Sequence, residues 1–284
     1  MCKTVAANVS SHTEFNGRLG KLIAQGRTAD IHAWENDQTV VKLYHDWFQL
    51  ESIQQEAARA RAVQKLDFAT PKVGELVQVN GRNGLLFERI YGENMLALLL
   101  EQPTLAATFA ARLADLHLRL HRLTAQPAIP LQRQKLESKI RQAAPLSESL
   151  KAALISKLHE MPDGHSVCHG DFHPGNIIVA TQDGGDEVVV DWNDCTFGNP
   201  LADVARSTIL LLGGITGNET PNPAFEAVVR RCHEQYLAHY FAHSPHEKEE
   251  YEKWLPIVAG ARLNENITAL EPWLLSEAEK INKR

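Results

Sequence analysis

Residues 169–176 of this chain read HGDFHPGN, and a short apolar run separates them from VVVDW at residues 188–192. The two stretches carry Asp171, Asn176 and Asp191, the last at the end of a predicted β-strand. Three oxygen-bearing side chains of this kind can surround a metal-bound nucleotide, because Mg²⁺ prefers hard oxygen ligands and keeps several of its waters. The pattern therefore indicates phosphoryl transfer, with Asp171 orienting an attacking hydroxyl and the other two binding the metal.

A transition-metal site is an alternative interpretation of the same stretch, in which His169, Asp171 and His173 join Asp191 as ligands. The spacing argues against it, because no helix aligns the two histidines and Pro174-Gly175 indicates a tight loop. An acidic turn that binds nothing is the third interpretation. In the first interpretation, His169 braces the loop through hydrogen bonds.

The first ninety residues are predicted to be rich in β-structure. Strands are predicted at residues 19–23, 31–34, 39–44, 76–79 and 85–88, and a helix at 49–66. Gly26 lies in the turn between the first two strands, where the lack of a Cβ lets the backbone approach phosphate oxygens. A plain hairpin turn accounts for this glycine equally well. The segment from Asn80 to Gly84 predicts a second hairpin turn.

One lysine, Lys42, lies inside an apolar predicted strand and points away from Val41 and Leu43. A lysine on an inward face needs a partner, because an unpaired buried ammonium is costly. Glu56 lies close to the apolar face of the following helix and is the predicted partner, with Glu51 as the competing carboxylate. Such an ion pair would hold the ammonium toward the α- and β-phosphates. The alternatives are a solvated edge-strand lysine and a solvated glutamate.

The rest of the chain is predicted to be mainly helical. Apolar residues at helical spacing predict a core helix from Leu105 to Leu123, with Thr104 as its N-cap. Two amphipathic helices should follow before Asp163, and further helical stretches are predicted at 201–212, 223–243 and 247–270. The composition shifts near Tyr91, which predicts a nucleotide-binding lobe at residues 1–90 and a catalytic and substrate-binding lobe at residues 91–284.

Composition narrows the function classes. The chain has 284 residues, 44% of them hydrophobic, and a formal net charge of −6. The chain has no basic stripe with interleaved aromatic residues, which argues against a nucleic-acid partner. It also has no apolar run long enough to predict a membrane span. The stretch from Met1 to Gly17 is polar, so we expect a cytoplasmic protein. The four cysteines lack CxxC spacing, which predicts neither a zinc site nor a disulfide framework. The expected assembly is a monomer or a homodimer.

Taken together, these motifs resemble those of the aminoglycoside phosphotransferase and choline kinase family, which is similar in fold to the protein kinases. Residues 169–176 match the catalytic loop of that family, and Asp191-Trp192 matches its metal-binding aspartate. The resemblance implies an α+β fold of two lobes, protein-kinase-like, with a small β-rich N-terminal lobe and a larger, mainly helical C-terminal lobe. Residues 198–203, GNPLAD, resemble a family segment whose final aspartate, here Asp203, is structural.

The resemblance also implies how ATP would bind. Phe87 would be the gatekeeper, and the Glu88 carbonyl and the Ile90 amide would hold adenine. The implied nucleotide-binding set is Gly26, Thr28, Lys42, Glu56, Phe87, Glu88 and Ile90. The chain departs from the family in its phosphate loop, which has a single glycine.

The resemblance further implies an ATP- and Mg²⁺-dependent phosphotransferase that acts on a hydroxyl of a small molecule. An aminoglycoside-like antibiotic is the first expected acceptor, because carboxylates near the C-terminus could meet its ammonium groups. The candidate carboxylates are Glu247, Glu249, Glu250, Glu252, Glu265 and Glu271. The stretch from Glu247 to Glu252 is also typical of a solvated helix face, whereas Glu265 and Glu271 flank apolar residues and are expected to face a cleft.

Two alternatives concern the activity itself. A metabolic kinase for choline, a sugar or an amino alcohol would need a different pocket, and choline would need an aromatic cage. The candidate cage residues are Tyr236, Tyr240, Trp254 and Trp273, although aromatics at helical spacing more often belong to a core. A nucleotide-binding regulator without transfer activity is the other alternative. A protein kinase is disfavoured, since no segment after Asp191 resembles an activation loop that ends in APE.

Overall fold

A computed structural model describes residues 19–35, 37–123, 129–181, 186–217 and 222–283. The polar N-terminal stretch on which the expected location rests, and Cys2, lie outside these residues. Among the residues described, no helix combines the length and the apolar character that crossing a bilayer requires.

The N-terminal part is a five-stranded antiparallel sheet with the order β1-β2-β3-β5-β4. Its strands are β1 (Leu19–Gln25), β2 (Ala29–Trp34), β3 (Thr39–Tyr44), β4 (Val73–Val79) and β5 (Arg82–Glu88). Helix α1 (Leu50–Gln64) packs against one face of the sheet through Ile53 and Ala57, which are buried against Leu85 and Tyr44. Strand β3 lies in the middle of the sheet, so Lys42 is held between β2 and β5.

The C-terminal part is mainly helical. Its helices are α2 (Met95–Glu101), α3 (Ala106–His121), α4 (Gln132–Gln142), α5 (Glu148–Glu160), α6 (Pro200–Thr216), α7 (Pro223–His243), α8 (Lys248–Glu252), α9 (Leu255–Arg262) and α10 (Glu271–Glu279). Five short strands accompany them: β6 (Gly92–Asn94), β7 (Ser166–Cys168), β8 (Ile177–Ala180), β9 (Glu187–Val189) and β10 (Thr196–Gly198). These strands form two small sheets, β6-β8-β9 and β10-β7.

The two small sheets fix the segments that the sequence singles out. Residues 169–176 connect β7 to β8, and Asp191 follows β9 after a single residue. Because β8 pairs with β9 in an antiparallel register, Ile177 lies opposite Val189. The predicted catalytic loop and the predicted metal-binding aspartate therefore start from neighbouring strand ends.

The contacts between the sheet and the helical part lie close to Asp191. Phe68, beyond α1, packs edge-on against Trp192 with ring centroids 5.8 Å apart. Arg59 of α1 donates a hydrogen bond to the backbone oxygen of Asn193 at 2.6 Å. The amide of Val189 donates to the carbonyl of Ala69 at 3.1 Å. A sheet-bearing N-terminal part joined in this way to a helical part confirms the predicted α+β bilobal fold, while the division at residues 90 and 91 stays a prediction.

Three local predictions differ from the structure. The turn between β4 and β5 consists of Asn80 and Gly81 alone, both with positive φ, as is typical of Asn-Gly in a two-residue hairpin. Gly84 belongs to the strand instead, where a Cβ would come within 2.7 Å of the Val41 side chain. Thr104 does not cap α3, because it lies in a 3-10 turn and the helix begins at Ala106.

The third difference is the stretch from residue 247 to residue 270, which is not one helix. Helix α8 ends at Glu252, and Pro256 lies in the first turn of α9, because proline cannot continue a helix but suits its first turn. Asn266 adopts a left-handed conformation after α9, with φ at 54°. This break turns the segment that follows α9 back toward α4 and α6, and it positions Glu265.

Candidate functional site

The loop between β7 and β8 holds Asp171 and Asn176 in direct contact. The Asn176 Nδ2 donates to the backbone oxygen and to Oδ2 of Asp171, both at 2.9 Å. The amide of Val190 donates to the carbonyl of Asn176 at 3.0 Å, which ties this loop to the residue before Asp191. The structure therefore brings Asp171 and Asn176 together and joins their loop to the residue that precedes Asp191.

His169 braces the loop from behind. Its Nδ1 accepts from the amide of Asp171 at 3.2 Å, so its Nε2 carries the proton and donates to the carbonyl of Val190 at 3.0 Å. Burial lowers the pKa of His169, which keeps the ring neutral. Both ring nitrogens are occupied by backbone groups, so the alternative of a transition-metal site at His169, Asp171 and His173 is wrong.

The loop requires glycine at position 170. Gly170 has a φ of +79°, and a Cβ at this position would lie 2.5 Å from the backbone oxygen of Asp194. Only glycine adopts such a conformation at no steric cost. The Gly170 amide is thereby free to bond to a side chain behind the loop.

That side chain is Asp203, near the start of α6. Its oxygens accept from the amides of His169 and Gly170 at 2.6 and 2.8 Å and contact the Nε2 atoms of His117 and His121 at 3.0 and 3.4 Å. The Asn199 side chain caps α6 and Pro200 occupies its first turn, so α6 begins where Asp203 can reach the loop. Asp203 is therefore a structural residue, as the family resemblance implied.

The two histidines on α3 complete a buried network. The Nδ1 atoms of His117 and His121 bond to the hydroxyls of Tyr236 and Tyr240 on α7, each at 2.7 Å. Burial lowers the pKa of His117 to about 3, and the nearby His121 acts in the same direction, because two protonated rings would repel each other. Burial also lowers the pKa of His121. Both rings are therefore neutral when the chain is folded at neutral pH.

We expect the free energy of unfolding to fall as the pH drops below 6.5. The unfolded chain binds protons at these histidines below their ordinary pKa, whereas the folded chain does not until the pH approaches 3 for His117. Each such histidine should contribute a slope of about 1.4 kcal/mol per pH unit. Urea unfolding between pH 5 and 8 would measure this slope. The His117→Gln variant lacks one of these rings, so its slope should be smaller by the contribution of one histidine.

The matched control for that experiment is His243→Gln, which alters an exposed histidine at the end of α7. This variant should keep the wild-type dependence on pH. An equal slope in wild type and His117→Gln would show that His117 does not carry the effect.

Lys42 joins the N-terminal sheet to the site. Its ammonium donates to Glu56 at 2.7 Å and to Asp191 at 2.9 Å, and the residue is only 8% exposed. Burial acts to lower the pKa of Lys42, but Asp191 and Glu56 outweigh it and raise that pKa above its ordinary value. The alternatives of a solvated lysine and a solvated Glu56 are therefore wrong, and the competing Glu51 is exposed.

Asp191 differs from its neighbours in being open to solvent. Its side chain is 41% exposed, and its backbone lies in the left-handed region with φ at 64°. Left-handed backbone in a residue other than glycine is uncommon and often occurs at functional sites. The carboxylate thus faces accessible space while one oxygen is bonded to Lys42.

The other residues expected to bind ATP lie in the turn between β1 and β2 and around the end of β5. The Gly26 amide donates to the carbonyl of Ala29 at 2.9 Å, which closes the turn that contains Thr28. Phe87 is partly buried and packs against the apolar clusters of both the sheet and the helical part. Just beyond Phe87, β5 ends at Glu88. Their roles, and that of the Ile90 amide, stay predictions.

The aromatic residues proposed for a choline cage do not form one. Tyr236, Tyr240 and Trp254 are buried in the main core, and Trp273 packs against that core. Among the carboxylates, Glu247, Glu249 and Glu250 are exposed, as expected for a solvated face. Glu271 lies in the first turn of α10. Glu265 does line a cavity beside the catalytic loop, and its partners there are cations.

The sequence analysis missed Arg206, which lies on α6 one turn after Asp203. Its Nε donates to the carbonyl of Gly170 at 3.0 Å, and its Nη2 lies 3.9 Å from the Asp171 carboxylate. Burial acts to raise the pKa of Asp171, but His173 and Arg206 outweigh it and hold that pKa well below its ordinary value. Asp171 is therefore ionised at neutral pH. The three-residue spacing between Asp203 and Arg206 was the only sequence signal that could have pointed to Arg206.

Comparisons with known proteins agree with the family that the sequence motifs resemble. A family model described as "Phosphotransferase enzyme family" matches residues 21–257. No curated protein sequence gives a significant match to the chain. Solved structures resemble it in fold at low identity. One is the aminoglycoside phosphotransferase APH(3'')-Id from Streptomyces rimosus ATCC10970 in complex with ADP and streptomycin, with 18% identity over 82% of this chain and 90% of that one and a TM-score of 0.55.

Two further structures are similar over most of their length. The amicoumacin kinase hAmiN, in complex with AMP-PNP, Ca²⁺ and Ami, has 14% identity over 96% of this chain and 90% of that one, with a TM-score of 0.61. The choline kinase LicA from Streptococcus pneumoniae has 14% identity over 93% of this chain and 92% of that one, with a TM-score of 0.57. At these identities the likeness shows a shared fold.

Proposed function

Because this chain belongs to the phosphotransferase enzyme family, we propose that it transfers the γ-phosphate of Mg²⁺-bound ATP to a hydroxyl of a small molecule. The observation that carries the proposal is the convergence of Asp171, Asn176, Lys42 and Asp191 from three separate segments: the β7–β8 loop, β3 and the residues after β9. Asp171 contacts Asn176, Lys42 contacts Asp191, and Val190 bonds to Asn176 between the two pairs.

The donor set suits Mg²⁺. Asn176 uses its Nδ2 for both hydrogen bonds to Asp171, which leaves its amide oxygen as a ligand. Asp191 offers an exposed carboxylate. Hard oxygens in this number are sufficient, because Mg²⁺ takes its remaining ligands from water and phosphate. When bound, the metal would neutralise charge that develops between the β- and γ-phosphoryl groups.

The protein's own residues would position the reactants. Lys42, held by Glu56, would bind the α- and β-phosphates, and Asp171 would accept the hydrogen bond of the acceptor hydroxyl. In the transfer, the hydroxyl oxygen forms a bond to the γ-phosphorus while the bond from phosphorus to the β,γ-bridging oxygen breaks. ADP leaves with that electron pair, and the hydroxyl proton passes to Asp171. Since Asp171 is a weak base in this environment, orientation and electrostatics would supply most of the rate enhancement.

The similarity to aminoglycoside kinases makes a cationic, aminoglycoside-like antibiotic one candidate acceptor. Of the carboxylates that were expected to meet an ammonium group, Glu265 is the one that lies beside the site. Its oxygens already bind Arg206 at 2.7 Å and Lys139 at 3.3 Å, so it would have to exchange partners to do so. The cations near Asp171 favour an acceptor of a different chemistry, one with an anionic group.

The proposed function is tested by ADP release with a panel of hydroxyl-bearing compounds, in the presence of Mg²⁺ and after its removal with EDTA. The panel should contain aminoglycosides, choline, neutral sugars, amino alcohols, hydroxy acids and sugar phosphates. We expect Mg²⁺-dependent turnover that requires an acceptor. Nucleotide binding without turnover across the panel would instead support the regulator alternative.

A further inference from the structure

Half of the residues that line the cavity beside the catalytic loop are charged, and most of these come from α4, α6 and α9. Gly170 and Arg206 are among its lining residues, and the Nη2 of Arg206 lies 3.9 Å from the Asp171 carboxylate. Its volume of about 50 Å³ is room for a few water molecules. A carboxylate or a phosphate group fits such a space, whereas a whole antibiotic does not. We name this cavity the cation pocket, after Lys135, Lys139, Arg206 and Arg262.

The carboxylates of the cation pocket are already engaged. Asp194 binds Lys135 at 2.5 Å, and Glu265 binds Arg206 at 2.7 Å. Lys139 lies between the two carboxylates, 3.6 Å from Asp194 and 3.3 Å from Glu265. The third lining carboxylate, Asp203, holds the catalytic loop. Each carboxylate that lines the cavity therefore has closer partners than Arg262.

Arg262 is buried and poorly paired. It is 8% exposed, and within the described residues its Nε and Nη1 have no hydrogen-bond partner. The carboxylate of Glu265 comes no closer to Nη1 than 4.0 Å. Burial lowers the pKa of Arg262 to about 10, and the charge of Arg206 adds to the effect, so the guanidinium is still charged at neutral pH. A buried charge with unsatisfied donors is costly.

We propose that the cation pocket binds an anionic group of the acceptor, a carboxylate or a phosphate, and so presents the acceptor hydroxyl to Asp171. The inference rests on the proposed function and deepens it by assigning the class of acceptor. An anion would give Arg262 the charge-assisted hydrogen bonds that the chain itself does not supply. Arg206 would link the two sites, since it borders the pocket and lies 3.9 Å from the Asp171 carboxylate.

Binding of the anionic group is tested without knowledge of the acceptor. The probes are inorganic phosphate and acetate, added to protein whose nucleotide site is filled with AMP-PNP and Mg²⁺. We expect one or both probes to raise the Tm of the wild type and to leave the Tm of Arg262→Gln unchanged. Arg262→Lys keeps the charge and should restore part of the response. Without a probe, Arg262→Gln should be at least as stable as the wild type, because it removes a poorly paired buried charge.

Acceptor choice is tested with the panel of hydroxyl compounds. Turnover should be found with hydroxy acids or with sugar phosphates, and these two arms identify which anion is used. Arg262→Gln should reduce kcat/KM for that acceptor by about 10- to 100-fold, as expected for a lost hydrogen bond to a charged group. Arg141→Gln, which alters an exposed arginine of α4, is the matched control and should behave as the wild type.

The outcomes separate the inference from the proposed function. Mg²⁺-dependent turnover of cationic or neutral acceptors alone, unaffected by Arg262→Gln, would overturn the anion-binding role and leave the phosphotransferase assignment intact. Equal thermal responses in wild type and Arg262→Gln would overturn it as well. If no compound of the panel is turned over, the proposed function fails, and the Tm measurements still decide whether the pocket binds anions.

Discussion

Replacement of Asp171 by asparagine is expected to slow phosphoryl transfer by about 10²–10⁴-fold, the range found for general acid–base groups. The substitution keeps the size of the side chain but removes the charge that orients the acceptor hydroxyl. Nucleotide affinity should change little, because the contact between Lys42 and Asp191 is not altered and the new side-chain amide oxygen can still accept the hydrogen bond from Asn176. Steady-state ADP release would measure the rate, and calorimetry would measure the dissociation constant of ATP.

Asp67→Asn is the matched control for this variant, because it removes an exposed aspartate beyond the end of α1. It should have wild-type turnover. Full activity of Asp171→Asn with any acceptor would contradict the proposed mechanism. A large loss of ATP affinity would place Asp171 in nucleotide binding instead.

Replacement of Lys42 by methionine is expected to lower both stability and activity. Glu56 would be left as a buried carboxylate without its cation, and breaking a buried pair in this way costs about 3–5 kcal/mol of the free energy of unfolding. Burial already raises the pKa of Glu56. The deficit should therefore shrink as the pH falls from 8 toward 5, because protonation neutralises the stranded carboxylate. Urea unfolding at several pH values would follow this change.

A double-mutant cycle separates the structural role of Lys42 from its proposed role in binding phosphate. Addition of Glu56→Gln to Lys42→Met should recover much of the lost stability, since neither side chain is then charged. Phosphoryl transfer should stay impaired, because no ammonium would be aimed at the phosphates. The control Lys65→Met alters an exposed lysine after α1. Recovered activity in the double variant would contradict the phosphate-binding role.

The parts of the site that could be predicted are those set by short segments. Residues 169–176 fold into their loop because Gly170 must be left-handed and His169 finds backbone partners on both sides. Lys42 and Glu56 could be paired because strand and helix periodicity place both on inward faces. In each case the deciding information lies within about twenty residues of sequence.

The cation pocket could not be predicted in this way. Lys135 and Lys139 are four residues apart on α4, a spacing that equally suits a solvated helix face. Whether they meet Arg262 depends on how α4, α6 and α9 pack, and the single helix predicted for 247–270 concealed the break that brings Glu265 into position. Glu265 was expected to face a cleft because it flanks apolar residues, and its pairing with Arg206 and Lys139 could not be predicted from those flanks.

Asp203 and Arg206 lie three residues apart on α6 and both bond to Gly170 of the catalytic loop, but their other partners lie in different segments. Asp203 contacts His117 and His121 of α3, whereas Arg206 binds Glu265, which follows α9 and also contacts Lys139 of α4. Selection could therefore alter acceptor preference through α4 and α9 without disturbing the machinery of transfer. Directed evolution toward new acceptors would best confine its libraries to those two helices.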